Sequence, residues 1–225
     1  MNTIATRVTP ATTTRASWAG DRLTHRLLAA GGLAAPVLLI VGVVQTFTRQ
    51  GFDLDKHALS MLSLGSMGFI QIANFLVTGA LLVAGALGMR RAMPTGPGRT
   101  WAPLGLTGFG LGLIVSGVFL ADPGYAFPMG TPDGPGQFSW HGQLHMAGFA
   151  LATIGWLVAA AVLARRFAAQ GDRRRAVGCL TAILAAVVID AAPVFGSFGV
   201  RILIVCAIEL GLVAAVCVHL IRTPR

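Results

Sequence analysis

The sequence predicts an all-α membrane protein: a bundle of six transmembrane helices with both termini in the cytoplasm and a mobile N-terminal tail. Three observations carry this prediction. Apolar residues make up 55% of the 225 and charged residues only 11%, whereas about a quarter of the residues in a soluble domain are charged. Apolar stretches of roughly 20 residues recur, the length that crosses ~30 Å of hydrocarbon as a helix. Most basic residues also fall in alternate connections between these stretches.

The chain divides into a tail and one membrane domain. Residues 1–24 are rich in Thr and Ala, lack apolar periodicity, and are predicted to form a disordered cytoplasmic tail. Residues 25–225 are predicted to form the six-helix transmembrane domain. Its spans are expected at 27–47, 67–89, 103–121, 143–164, 176–193 and 200–221. The fifth ends at Pro193, which cannot continue a helix comfortably, so the last two spans form a tight hairpin.

The orientation follows from the positions of Lys and Arg, which favour cytoplasmic connections. Of the seventeen Lys and Arg residues, fourteen fall on one side of the membrane, which is therefore predicted to be the cytoplasm, and three fall on the other side. Those three are Arg49, Lys56 and Arg201. The first and third connections are therefore predicted outside, and the protein is predicted in the bacterial cytoplasmic (inner) membrane, with the lipid bilayer as its partner. One set of alternate compartments holds fourteen of the seventeen basic residues: Arg7, Arg15, Arg22, Arg26, Arg90, Arg91, Arg99, Arg165, Arg166, Arg173, Arg174, Arg175, Arg222 and Arg225.

The net charge of +9 does not indicate nucleic-acid binding. A nucleic-acid surface requires a basic stripe or patch, often interleaved with aromatic side chains. Here the arginines cluster at the ends of apolar spans, where membrane topology requires them. No nucleic-acid partner is predicted, and the sequence does not define an oligomeric state.

The most specific motif is His141-Gly142-Gln143-Leu144-His145, at the outer start of the fourth span. Residues four apart share a helix face with Cβ atoms ~5–6 Å apart, which lets two imidazoles bind one zinc ion. Zinc proteases place Glu directly after the first His of such a pair. Gly142 stands there, and this disfavours protease chemistry. No cofactor other than zinc is predicted.

Further polar residues are expected at the same outer depth. His57, predicted to open the second helix, and Asp122 would complete a metal set with His141 and His145; Ser60 and Asp122 are the candidate catalytic residues. Two other hypotheses are open, and the first of them is favoured over the metal site. The cluster would be a structural polar network of helix caps and loop contacts, or it would recognise a ligand without chemistry.

Two acids are predicted within the bilayer, where ionisable groups usually mark function. Glu209 falls near the middle of the sixth span, and Asp190 near the outer end of the fifth. Asp190 is expected to pair with Arg201 across the short turn. Glu209 is expected either to be protonated and hydrogen-bonded to the second span, or to face a small aqueous cavity. The candidate partners on that span are Gln71, Asn74 and Thr78.

Five segments of the chain together carry a family resemblance. They are Arg49-Gln50-Gly51-Phe52-Asp53, His57-Ala58-Leu59-Ser60-Met61-Leu62, Gln71-Ile72-Ala73-Asn74-Phe75, Gly117-Val118-Phe119-Leu120-Ala121-Asp122-Pro123 and His141-Gly142-Gln143-Leu144-His145. These segments resemble a family of uncharacterised bacterial membrane proteins, domain of unknown function 998. The resemblance covers about 27–221, and it implies a six-helix membrane fold with no established activity. Family members often carry an acid after the Ser of the second segment, where this chain has Met61.

Three functional hypotheses follow. The first is a structural or ligand-binding helical bundle with an outward-facing His/Asp region. The second is a metal-dependent hydrolase acting on lipid or amide substrates at the outer membrane face. The third is a small transporter that uses Glu209, although the sequence shows no matched pair of interrupted helices.

Overall fold

Six long helices account for most of residues 14–223, the part of the chain that the computed structural model describes. Two connections contain short 3₁₀ helices, at Leu59–Ser63 and Pro193–Phe195. No strand lies within the described range, which confirms the all-α prediction. The long helices are α1 (Thr14–Thr48), α2 (Gly68–Ala92), α3 (Trp101–Val118), α4 (Trp140–Ala169), α5 (Arg173–Ala191) and α6 (Phe198–Arg222).

The first helix extends into the stretch that the sequence predicts to be a tail. α1 begins at Thr14, whereas the disordered tail was expected to reach residue 24. The remainder of the predicted tail, residues 1–13, lies outside the described part of the chain.

The helices form a closed ring in chain order. Each packs against the next, and α6 returns to contact α1. We name the two ends of this bundle by their contents. The loop end carries the long connections 49–67 and 119–139, and the arginine end carries the arginines that begin and end the helices, such as Arg91 and Arg173.

Five helices are long and apolar enough to cross a membrane. They are α2, α3, α4, α6 and the part of α1 from Arg22 to Thr48. Large apolar side chains such as Ile40, Leu104 and Ile154 cover the outside of the bundle, which suits contact with lipid. The sequence predicted six spans, and α5 does not meet the same criteria within the described residues.

Charges at both ends of α5 explain this difference. Arg173, Arg174 and Arg175 occupy its first turn, and Asp190 its last. The uncharged stretch between Arg175 and Asp190 is about 21 Å long at 1.5 Å per residue, shorter than the hydrocarbon core. Asp172 caps the helix by accepting a hydrogen bond from the Arg175 N–H at 3.1 Å, and this bond helps to lower the pKa of the Asp172 carboxyl.

Glycines allow the first four helices to approach closely. Gly31 of α1 lies against Gly85 of α2, and a Cβ added to either would come within 2.7 Å of the other's Cα. Gly155 of α4 lies against Gly105 of α3 in the same way, with 2.6 Å from an added Cβ to the Gly105 carbonyl oxygen. Such contacts between small residues are the usual basis of helix packing in membranes. Gly178 on α5 has open space around it and makes no such contact.

Candidate functional site

The two long connections at the loop end fold together into one structure, which we call the loop cap (49–67 and 119–139). It has its own small apolar core of Met61, Leu64 and Phe127. Arg49 donates hydrogen bonds to the carbonyls of Leu62 and Leu64, at 2.9 and 2.5 Å. Burial lowers the pKa of the Arg49 guanidinium below its usual value, and the guanidinium lies 5.8 Å from the centre of the Phe127 ring.

His57 joins the two connections of the loop cap. Its side chain is 2% exposed, and its Nδ1 accepts a hydrogen bond from the backbone N–H of Asp53 at 2.9 Å. Because that N–H can only donate, Nδ1 is unprotonated, and Nε2 carries the hydrogen that it donates to the Tyr125 carbonyl at 2.8 Å. His57 is therefore neutral with both nitrogens occupied. It lies in the connection and does not open a helix, since α2 begins at Gly68.

The turn that His57 holds has an unusual backbone. Tyr125 and Ala126 both have positive φ, 54° and 63°, a region that non-glycine residues rarely occupy. Their N–H groups donate to the carbonyls of Gly134 and Pro132 at 2.7 and 3.2 Å. Such strained conformations persist only where the surrounding contacts determine them, and here the contacts come from both connections.

Asp122 organises the start of α4. Its carboxylate accepts hydrogen bonds from the backbone N–H and the hydroxyl of Ser139. The Ser139 hydroxyl oxygen in turn accepts from the Gly142 N–H at 3.1 Å and caps the helix. A side chain at Gly142 would collide with the Asp122 carboxylate. This supports a structural role for Asp122 at the helix boundary.

His141 and His145 have different surroundings in spite of their spacing. His145 is 5% exposed, and its Nδ1–H donates to the carbonyls of Ser116 and Phe119, each at 3.0 Å. The Ser116 hydroxyl donates back to the His145 carbonyl at 3.2 Å, so this histidine fastens α4 to α3. His141 is exposed, and its ring lies 3.7 Å from that of Trp140, centre to centre.

The predicted metal set is not brought together. Among the described residues, no three His, Cys, Asp or Glu side chains are placed to hold a metal ion. Of the predicted ligands, His57, Asp122 and His145 each bond to loop or helix-end groups instead. Ser60, a predicted catalytic residue, is half-buried, and its carbonyl accepts from the Ser63 hydroxyl at 2.7 Å. The arrangement of these side chains therefore does not support the predicted zinc site.

The predicted pair of Asp190 and Arg201 does not form in the described part of the chain, where the only ion pairs are Lys56–Asp53 and Arg175–Asp172. The Nε atom of Arg201 is buried without a hydrogen-bond partner. Asp190 instead faces a cavity between α4, α5 and α6. Closeness along the chain did not bring the two charged groups within ion-pair distance.

The second predicted acid faces the same cavity. Glu209 is 7% exposed, and its backbone carbonyl accepts a hydrogen bond from the Trp156 indole at 3.1 Å. No described residue hydrogen-bonds its carboxyl group. The cavity has a volume of about 60 Å³. It is lined by Phe149, Thr153, Trp156 and Leu157 of α4, Ala186, Val187 and Asp190 of α5, and Ile202, Val205, Cys206 and Glu209 of α6.

The partners expected for Glu209 are engaged elsewhere. Gln71 accepts a hydrogen bond from Gln45 of α1 at 2.7 Å. Asn74 donates to the Leu38 carbonyl and to Gln71, both at 3.2 Å, and Thr78 donates to Asn74 at 3.5 Å. The expected bond to the second span is therefore wrong, because these side chains stabilise the contact between α1 and α2.

The wall of the cavity was missed by the sequence analysis. Trp156 and Thr153 lie within a uniformly apolar stretch of α4 and have no motif around them. One signal was present: Ile202, Val205, Cys206 and Glu209 recur at helical spacing and share a face of α6. The sequence does not show that α4 and α5 pack against that face and complete the cavity.

Comparison with known proteins identifies one family. The family described as "Protein of unknown function (DUF998)" matches residues 14–219, which include all six helices except the last residues of α6. Comparison with curated proteins gives no match, and comparison with solved structures gives none either. With nearly the whole helical bundle inside the matched region, the chain belongs to the DUF998 family, whose function is unknown.

Proposed function

We propose that this protein spans the bacterial cytoplasmic membrane six times, with both termini in the cytoplasm, and binds a small ligand in the cavity between α4, α5 and α6. The observation that carries the binding proposal is the Glu209 carboxyl, which is buried, faces the cavity and has no hydrogen-bond partner among the described residues.

The sixth span is supported by how α5 is placed. α5 packs between α4 and α6, and it leads from the arginine end, where α4 ends, to the loop end, where α6 begins. A helix that connects opposite ends of two spanning neighbours must itself cross. Its short apolar length is compatible with this, because charged side chains at helix ends can extend toward the interface.

Reporter fusions test the orientation. Since basic residues favour the cytoplasmic side, fusions after Arg91, Arg175 and Arg225 are expected to report the cytoplasm, and a fusion within 130–136 the outside. A cytoplasmic signal from 130–136 would contradict the orientation. Opposite signals after Arg175 and Arg225 would contradict the sixth span, because α5 and α6 together would then cross the membrane only once.

The binding proposal follows from the cost of burying a polar group. A polar group removed from water without a hydrogen-bond partner destabilises a fold by about 1–3 kcal/mol by mutational measures. The buried carboxyl group of Glu209, in the middle of α6, is destabilising in this way, and it forms no hydrogen bond to another described helix that would offset the cost. Groups retained at that cost within membranes usually serve binding or transport. The cavity is lined by two acids and is large enough for water or a small ligand.

Stability measurements distinguish a binding group from a structural one. Glu209→Leu is expected to leave the free energy of unfolding unchanged or to raise it by about 1 kcal/mol, because no hydrogen bond is lost. Asn74→Leu, at a comparable membrane depth, is the matched control and is expected to cost about 1–2 kcal/mol through its lost bonds. Unfolding in mixed micelles, followed by circular dichroism, measures both.

If Glu209→Leu costs as much as Asn74→Leu, then Glu209 is a structural group bonded through water, and the binding proposal fails. The outer polar residues support no second function, because His57, Asp122 and His145 bond to backbone and cap groups of the loop cap and adjoining helices.

A further inference from the structure

We propose that the ligand of this cavity is a small monovalent cation with N–H donors, of the ammonium or primary-amine class, held by Glu209 and Asp190. This inference rests on the proposed function, since it assigns a chemical class to the ligand of the same cavity.

Charge is the first reason. The cavity has two acidic residues in its wall and no Lys, Arg or His. Glu209 is buried, and a buried carboxylate is stable only when it is paired; Asp190 adds a second acid at the exposed end of the same cavity. The wall supplies no positive charge, so the partner of an ionised Glu209 would be a positively charged ligand.

The remaining polar and aromatic groups also favour an ammonium-type ligand. Trp156 and Phe149 line the cavity, and aromatic faces attract ammonium groups. The Thr153 hydroxyl and the carboxylate oxygens are acceptors for N–H donors.

A metal ion fits the cavity less well. Metal binding requires several ligands converging on one point, and no such group exists among the described residues. Among the acceptors that line the cavity, Asp190 lies in the last turn of α5 at the loop end, whereas Glu209 lies near the middle of α6. The acceptors are therefore distributed along the cavity, which suits hydrogen bonds from a donor-bearing cation.

Volume limits the ligand. The cavity measures about 60 Å³, which favours a cation of few heavy atoms such as ammonium or methylammonium. Tetramethylammonium is bulkier and lacks N–H donors.

The two acids lie at different depths. Asp190 is in the last turn of α5 at the loop end and is exposed, whereas Glu209 is buried halfway along α6. A cation arriving from the loop end would meet Asp190 first and Glu209 second. The helix α5 forms one wall of the cavity. Its only buried side chains are Ala176, Cys179 and Ala186.

Calorimetric titration of the full-length protein in lipid nanodiscs tests this proposal. Methylammonium chloride is expected to bind saturably, whereas sodium and tetramethylammonium chloride at equal ionic strength bind at least ~10-fold more weakly, about 1.4 kcal/mol. Glu209→Gln, which keeps the side chain's shape, is expected to weaken methylammonium binding ~10-fold or more, and Asp190→Asn by a smaller factor. Asp133→Asn, at an exposed acid of the loop cap, is the matched control and is expected to change nothing.

Infrared difference spectra add a readout that a purely structural role would not affect. Methylammonium is expected to change a carboxyl band in the parent, and that band is expected to be missing in Glu209→Gln. Absent binding of methylammonium, or equal binding by Glu209→Gln, would overturn the cation assignment. The proposed ligand-binding function is judged separately, by whether Glu209→Leu is as stable as the parent.

Discussion

His57→Ala is expected to destabilise the protein by about 3 kcal/mol, whereas His141→Ala is expected to change its stability by less than about 0.5 kcal/mol. The first substitution removes a ring that is 2% exposed and bonded at both nitrogens. It leaves the Asp53 N–H and the Tyr125 carbonyl without partners, and it opens a void beside Phe127, whose ring centre lies 5.2 Å away. Unfolding in mixed micelles measures both variants.

His141 is a suitable control because it is the same residue type at the same end of the bundle, yet it is exposed. Equal and small losses in both variants would contradict the role of His57 as the link between the two connections. The effect should also be local. Hydrogen exchange at Tyr125 and Ala126, whose N–H groups are bonded within their own turn, is expected to quicken in His57→Ala, because their positive-φ backbone depends on that link.

The histidine pair shows what spacing along a helix predicts and what it does not. A separation of four residues correctly places His141 and His145 on neighbouring positions of one helix face. It does not say what that face meets. His145 meets the last carbonyls of α3, where a helix end leaves acceptors unpaired. His141, one turn earlier, is exposed and lies beside the rings of Trp140 and Phe119.

The spans were largely predictable because apolar length and charged ends are properties of the sequence itself. The helix α5 was the exception, since its apolar stretch is bounded by Arg175 and Asp190. Partner choice was not predictable, because it depends on which helices are neighbours in the ring. Asn74 faces α1, where Gly31 and Gly85 bring α1 and α2 together, and so it cannot reach Glu209, which faces α4 and α5.

Gly155→Ala is expected to destabilise the bundle by about 2–3 kcal/mol, a large effect for one methyl group. Its Cβ would lie 2.5 Å from the Phe109 nitrogen and 2.6 Å from the Gly105 carbonyl oxygen. Both are backbone atoms, which cannot rotate away as a side chain can. The helices α3 and α4 would have to separate, and the buried bond between His145 and Ser116 at 3.0 Å would be disturbed along with them.

Gly211→Ala is the matched control, because it makes the same chemical change on α6 at a site with nothing within 4 Å. There the alanine should stabilise the helix by up to about 1 kcal/mol, through its higher helix propensity. The two substitutions are therefore expected to shift the unfolding midpoint in opposite directions in the same micelle titration. If Gly155→Ala leaves the stability unchanged, then α3 and α4 are not in backbone contact at Gly105. The close packing that buries His145 between these two helices would then be contradicted. A smaller loss in the free energy of unfolding, with the His145 amide still protected from hydrogen exchange, would mean that α4 tilts locally about Gly155. The helices would then stay together, and the cost of the substitution would be lower than expected.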